Sequence, residues 1–234
     1  MFFIGLPQME HVLDNPAWNA LISGNKHLSN GNQQVKYFDK EVSPFVALKE
    51  NSTENFGILY ELILHNGPVL FITPMEMEIP GPWKVLHVIK GLQMVYEGPE
   101  LPIDTNPELV SLTGEHVHQM LALTKLTNPG PFAEKTIDFG HYYGIFEGMQ
   151  LVAMAGQRLH VFGYAEVSAV CTHPDHTGKG YARALLLHQL HRIRAASNIP
   201  FLHVRYDNER AIKVYKSLGF VTRMEIHFYV LQKN

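Results

Sequence analysis

The stretch VCTHPDHTGKGYARALL, from Val170 to Leu186, decides the fold. It leads from an apolar, strand-like segment through a turn with proline and glycines into a helical pattern. A join of this kind leaves several backbone N–H groups unpaired at the positive end of the helix dipole. Gly178 and Gly180 remove side chains that would block a close approach, and Lys179 adds a positive charge. The stretch therefore predicts an anion-binding turn.

Two common phosphate-binding motifs do not fit this turn. A P-loop requires G-x-x-x-x-G-K-[ST], but Lys179 is followed by Gly180, and no glycine stands five positions before Gly178. A dinucleotide fingerprint, G-x-G-x-x-G/A, needs glycine or alanine where Arg183 stands. Because a glycine pair alone is common in ordinary loops, the meaning of the turn depends on the rest of the chain.

Length and composition describe an ordinary globular chain. Its 234 residues are 46% hydrophobic and 18% charged, which allows a sizeable core. The net charge of -3 provides no basic face, so nucleic acid is not an expected partner. The apolar start is too short for a membrane span, and the single cysteine, Cys171, forms no internal disulfide. We therefore expect a cytoplasmic protein that has no membrane partner.

A shift in composition divides the chain. The segment from Met94 to Leu112 carries three prolines and several acidic residues between apolar runs. It predicts a boundary near Asn106, with an N-terminal α/β domain at 1–106 and a second domain at 107–234. In the first part we expect helical segments near Trp18 and Phe56, and strands at 69–73 and 83–89.

The second part has a more regular alternation of elements. Apolar spacing and turn residues predict, in order, a strand at 108–112, a helix at 114–127, a hairpin that turns at 147–149, a strand at 165–172, a helix from about 180, a strand at 201–205, a helix at 209–218 that stops at Gly219, and a strand at 220–230.

Two motifs in the second part resemble the GNAT superfamily of acyl-CoA-dependent N-acyltransferases. The family's signature [RQ]-x-x-G-x-[GA], at the start of its third helix, is matched by Gly180 and Ala182, whereas Thr177 replaces the usual Arg or Gln. Downstream, DNERAIKVYKSLGF is similar to the family's N-x-x-A-x-x-x-Y-x-x-x-G-F. Its matching residues are Asn208, Ala211, Tyr215, Gly219 and Phe220.

The resemblance covers roughly residues 106–234 and implies an α/β fold. In that fold a central mixed, mostly antiparallel β-sheet is flanked by helices, here preceded by a smaller α/β N-terminal domain. In relatives of this type the first half is often a degenerate copy of the same fold, although residues 1–106 show neither motif.

The resemblance also implies acetyl-CoA as cosubstrate. Its pyrophosphate would lie on the turn amides, its pantetheine arm would pair with the strand before the turn, and a backbone N–H near Val170 would hold the oxyanion. Asn208 would contact the cofactor and serve as a helix N-cap as well. The expected contacts are Val170, Cys171, Thr172, Thr177, Gly178, Lys179, Gly180, Tyr181, Ala182, Arg183 and Asn208.

Two residues are expected to move protons. By resemblance, Tyr215 is the general acid for the departing thiolate, although a core tyrosine would show the same helical spacing. Glu166 is the candidate base; ordered waters, or an ion-paired role for Glu166, are the alternatives. In an unbroken strand Glu166 would share a face with Val170 and Thr172, and a bulge would change that face.

Other chemistry finds less support in the sequence. Strand alternation puts Cys171 on the face opposite Val170, which indicates a buried, inert thiol rather than a nucleophile. Neither histidine pair, His173/His176 or His188/His191, has a third ligand at a recognisable spacing, so no metal site is expected.

The resulting hypothesis is an N-acetyltransferase that acts on a primary amine of a small molecule or peptide. The alternative is a GNAT-like module that binds acyl-CoA without catalysis. The sequence does not indicate an oligomeric state.

Overall fold

Eleven strands form one sheet in the computed structural model, which describes residues 11–100, 102 and 107–234. The strands are β1 (Ser29–Gly31), β2 (Val35–Phe38), β3 (Phe45–Leu48), β4 (Val69–Thr73), β5 (Trp83–Tyr96), β6 (Val110–Ser111), β7 (Tyr143–Glu147), β8 (Gln150–Val161), β9 (Tyr164–Thr172), β10 (Ile199–Arg205) and β11 (Phe220–Lys233). Their order is β1-β2-β3-β4-β11-β5-β10-β9-β8-β7-β6. Only β3 with β4 and β9 with β10 run parallel among the described pairs. The predicted mixed, mostly antiparallel α/β fold is confirmed.

The helices cover this sheet on both faces. They are α1 (Pro16–Ile22), α2 (Thr53–Leu62), α3 (Val117–Thr127), α4 (Tyr181–Ala195) and α5 (Glu209–Leu218). Helices α1 and α3 contribute to one buried apolar cluster, which includes Cys171 of β9. Helices α4 and α5 contribute to another cluster, which includes Val167 of β9. The two faces of β9 therefore pack against different helices.

The two parts of the chain share this sheet. Strand β5 lies between β10 and β11, and β11 lies between β4 and β5. A boundary at residue 106 therefore divides a single sheet, because β5 precedes that residue whereas both of its neighbours follow it. Asn106 itself lies outside the described residues. Strands β1, β2 and β3, which the sequence did not predict, extend the sheet at one edge.

Gly156 tests how tightly the sheet packs next to β9. It pairs with Ser168 of β9, and a Cβ atom at Gly156 would lie 2.3 Å from ring carbons of the buried Tyr142. We expect Gly156→Ala to lower the free energy of unfolding by about 1–3 kcal/mol, because this ring has no room to move.

The matched control is Gly57→Ala in α2, where a Cβ would meet nothing within 4 Å. It is expected to stabilise the protein by up to about 1 kcal/mol, because alanine favours helices. Urea unfolding followed by circular dichroism measures both variants, and equal stabilities would contradict this description of the packing.

Candidate active site

The turn between β9 and α4 leaves its backbone amides open. A single 3-10 turn (Pro174–His176) follows β9, and Gly178 and Gly180 then adopt left-handed conformations, with φ of +83° and +82°. Gly180 is the N-cap of α4 and contributes no capping side chain. Added Cβ atoms at the two glycines would meet nothing within 4 Å. The N–H groups from Gly178 to Arg183 have no acceptor within the described part of the chain, so an anion can reach them.

The positive charge of this turn is already paired. Lys179 Nζ lies 3.0 Å from Glu147 Oε1, at the end of β7, and 3.3 Å from His176 Nδ1. The hydroxyl of Tyr181 donates to the same carboxylate. The hydrogen bond to Glu147 raises the pKa of Lys179. Sequence reasoning missed Glu147, because no local pattern connects residues 32 positions apart.

Strands β9 and β10 separate just before the turn. They pair only from Tyr164 to Glu166 and from Ile199 to Phe201, after which β10 continues beside β5 as far as Arg205. One backbone edge of β9, from Val167 to Thr172, therefore faces no strand in the described chain. The hydroxyl oxygen of Thr172 is also buried without a hydrogen-bond partner there. We call this gap between the two strands the β9–β10 opening.

A β-bulge lies in the same part of β9. Ala169 has a φ of +52°, and the register with β8 shifts between the pairs Met154–Cys171 and Gly156–Ser168. The shared face of Glu166 and Val170 was expected only for an unbroken strand, and this bulge removes it. Val170 packs towards α4 and α5, whereas Glu166 lies on the opposite face.

Glu166 is fully buried and accepts hydrogen bonds from two side chains and from the backbone N–H of Leu159 at 3.3 Å. Arg158 Nε and Nη2 donate to its two oxygens at 2.9 and 2.5 Å, and His203 Nδ1 lies 2.8 Å from Oε1. Burial alone would raise the pKa of this carboxyl, but the charge and hydrogen bonds of Arg158, together with His203, hold it well below its usual range. This geometry is that of an ion-paired strand glutamate. Arg158 and His203 were missed because only the sheet topology brings them to Glu166.

The other two predicted side chains lie at α5. Asn208 Oδ1 accepts a hydrogen bond from the N–H of Ala211 at 3.1 Å, so Asn208 caps this helix. Tyr215 packs edge-on against Phe220 and belongs to the apolar cluster that also contacts Val170. Burial raises the pKa of Tyr215 to about 12, so its phenol keeps its proton at neutral pH. Such a group can donate a proton but does not accept one.

Cys171 faces away from the turn and from Val170. Its side chain lies in the cluster under α1 and α3 and is only 6% exposed. Burial raises the pKa of this thiol to about 12, which keeps it in the unreactive neutral form. Within the described ranges, no three His, Cys, Asp or Glu side chains come close enough to share a metal ion.

Comparisons with known proteins identify the family. The family model described as FR47-like protein matches residues 142–229, which contain every candidate site residue. A GNAT-family protein from Novosphingobium aromaticivorans DSM 12444, known from its crystal structure, is 32% identical. The match covers 96% of this chain and 100% of that one, with a TM-score of 0.89. This chain belongs to the GNAT superfamily.

Two further relatives mark the extent of this GNAT likeness. The N-alpha-acetyltransferase RimI of Mycobacterium tuberculosis (strain ATCC 25618 / H37Rv) is 37% identical over 84 residues, which cover 34% of this chain and 51% of that protein. The match therefore spans about half of that relative. A GCN5-related N-acetyltransferase from Kribbella flavida shares the fold over 95% of this chain and 96% of its own, with a TM-score of 0.61 at 12% identity.

None of the helices in the described part of the GNAT chain is long and apolar enough to cross a bilayer.

The burial of Cys171 can be tested by thiol labelling. Because Cys171 is the chain's single cysteine, any labelling reports on this site alone. We expect a neutral alkylating reagent to modify the folded protein at least about 100 times more slowly than the protein unfolded in urea, because labelling requires local opening. Mass spectrometry measures both rates, and rapid labelling of the folded protein would restore the nucleophile hypothesis.

Proposed function

We propose that this protein transfers an acetyl group from acetyl-CoA to a primary amine by direct attack within a ternary complex. The open amides of the turn, next to the unpaired edge of β9, are the observation that carries this proposal. Their chemistry fits a diphosphate attached to an extended amide-containing arm. Superfamily membership supports the same substrate class.

Each part of the site has a role in this proposal. The N–H groups from Thr177 to Ala182 bind the pyrophosphate, while the backbone of Val170, Cys171 and Thr172 pairs with the pantetheine arm. Lys179, Tyr181 and Arg183 belong to this turn and the start of α4, Asn208 caps α5, and together they complete the contacts that we propose. The bulge at Ala169 turns part of the β9 backbone out of its ladder. A freed N–H near Val170 is the proposed donor to the oxyanion.

Proton transfer completes the reaction. Tyr215 donates its proton to the departing thiolate, since its phenol is protonated at neutral pH. The amine must lose a proton before or during its attack. Because Arg158 and His203 already hold the oxygens of Glu166, the geometry favours ordered water as the proton acceptor over this carboxylate.

A second candidate is a module that binds acyl-CoA without catalysis. Two observations favour it: Thr177 replaces the family's usual Arg or Gln, and Glu147 neutralises Lys179. Both reduce the positive charge at the turn. Turnover measurements on the wild type and on a Tyr215 variant distinguish the two candidates, because a module that only binds acyl-CoA has no turnover.

The amine acceptor is proposed only as a class. A primary amine on a small molecule or a peptide fits the chemistry, and the RimI relative makes peptide α-amino groups the first acceptors to test. The single cysteine keeps the cytoplasm as our proposed location.

The phosphate cradle is tested by Gly180→Glu. This change places a side chain and a negative charge where the pyrophosphate would lie, so we expect loss of measurable acetyl-CoA binding by calorimetry. The matched control is Gly163→Glu, at another open glycine with a φ of +70°, which has similar backbone strain and the same added charge. Equal affinity of the two variants would contradict the cradle.

The acid is tested by Tyr215→Phe. We expect kcat to fall at least about tenfold, with little change in the KM for acetyl-CoA, because only proton donation is lost. Tyr37→Phe removes a hydroxyl from another half-buried tyrosine, in β2, and is expected to retain wild-type kinetics. Unchanged kcat in Tyr215→Phe would remove Tyr215 from this role.

A further inference from the structure

A continuous row of polar side chains crosses the sheet under the β9–β10 opening. It contains one side chain from each of five neighbouring strands: Arg158 (β8), Glu166 (β9), His203 (β10), Gln93 (β5) and Arg223 (β11). Beyond the two side-chain contacts of Glu166 already described, Gln93 Nε2 lies 3.1 Å from His203 Nε2. At the far end, Arg223 Nη1 donates to Gln93 Oε1 at 2.8 Å.

This row sets the direction of the hydrogen bonds around His203. The ionised carboxylate of Glu166 can only accept, so His203 Nδ1 donates to it. Arg223 can only donate, so it holds Gln93 with its oxygen towards the guanidinium and its NH2 group towards the ring. His203 Nε2 therefore faces the NH2 group of Gln93 and accepts from it.

The surroundings of His203 are otherwise apolar. Its side chain is 3% exposed, and the rings of Phe201 and Phe228 lie edge-on to it, each with a centroid separation of 5.6 Å. The polar or charged groups that touch it are Glu166 from β9 and Gln93 from β5. In apolar surroundings an unpaired polar group is costly. Moving the strands apart would leave such groups unpaired, so these hydrogen bonds hold β5, β10 and β9 at a defined spacing.

The first part of the chain anchors the row at both ends. Gln93 Nε2 also donates to the carbonyl oxygen of Leu13 at 2.8 Å, and Arg223 pairs with Asp14. At the other end, the guanidinium carbon of Arg158 lies 4.7 Å from the ring centre of Phe45. These contacts therefore hold both ends of the row in place.

The Glu166–His203 hydrogen bond bridges β9 and β10 close to where their backbone pairing stops. The last backbone pair is Glu166 with Phe201, and His203 lies two residues further along β10. We propose that His203 is a positioning residue that acts through Glu166 to set the width of the β9–β10 opening and the place of the β9 edge. This proposal rests on the proposed function, since that edge is the one that would pair with the pantetheine arm.

The test compares three variants by calorimetry with acetyl-CoA. His203→Phe keeps a ring but removes both nitrogens, and Glu166→Gln replaces one of the two oxygens that accept from Arg158 and His203 by an NH2 group. His203→Asn retains an N–H donor close to the position of Nδ1. We expect about a tenfold or larger increase in Kd for His203→Phe and Glu166→Gln, and a Kd within about threefold of wild type for His203→Asn.

Rescue of the Kd by the conservative variant His203→Asn supplies the readout that a purely structural role would not provide. In His203→Asn the pH dependence of kcat is also expected to stay as in the wild type, because a positioning residue exchanges no proton with the substrate. Circular dichroism and thermal melting establish that each variant is folded. If His203→Phe does not fold, Glu166→Gln provides the same comparison, since loss of a base would leave cofactor affinity intact.

The outcomes separate this inference from the proposed function. Absence of acetyl-CoA binding in the wild type would overturn both. Wild-type binding with an unchanged Kd in His203→Phe and Glu166→Gln would overturn the positioning role alone. A Kd in His203→Asn as weak as in His203→Phe would do the same. An unchanged Kd together with a shifted pH dependence of kcat in the His203 variants would also overturn the positioning role, because His203 would then act as a proton acceptor.

Discussion

The pairing of β5 with β11 is the constraint on which the rest of the structure depends. It extends along the whole of both strands, from Trp83 to Tyr96 and from Phe220 to Lys233, and it joins the first part of the chain to the last. Through β5, the first part also supplies the strand that pairs with β10 on the side away from β9. Because β10 forms one side of the β9–β10 opening, the first part helps to build the site although no candidate catalytic or cofactor-binding residue was predicted in it. Through this pairing, the first part supports one side of the proposed cofactor site.

Backbone groups form most of the proposed site, and the side chains around it mainly change its charge. Left-handed glycines expose the amides of the turn, and the early separation from β10 leaves one edge of β9 unpaired. Between these two features, the bulge at Ala169 changes the direction of β9. Two of the charged groups nearby are paired: Lys179 with Glu147, and Glu166 with Arg158. Local dipoles are therefore better placed than net charge to bind an anion here. This arrangement agrees with a chain whose net charge is only -3.

Local signals in the sequence were sufficient for the main elements of the second part of the chain and for the turn. Helix α5 spans the predicted 209–218 because its apolar spacing, its Asn208 cap and Gly219 all act within one helix. The place of β5 could not be predicted, since strand alternation does not say which distant strand is the neighbour. The bulge at Ala169 is equally hidden, because nothing in alanine marks a left-handed residue. The polar row was missed for a related reason: Gln93 and Arg223 are 130 positions apart and meet only through the sheet.

The sheet order has a consequence for how the chain reaches its native state. Strands β4 and β5 are neighbours in sequence, yet β11 occupies the space between them. As the chain is synthesised from its N-terminus, both strands emerge well before the segment that must enter between them. They therefore have to remain apart, or separate again, while some 120 further residues are made. Pairings so distant in sequence form slowly and leave strand edges exposed meanwhile. The sheet is therefore completed only after β11 has been synthesised. Until then, the exposed strand edges make the incomplete chain prone to aggregation.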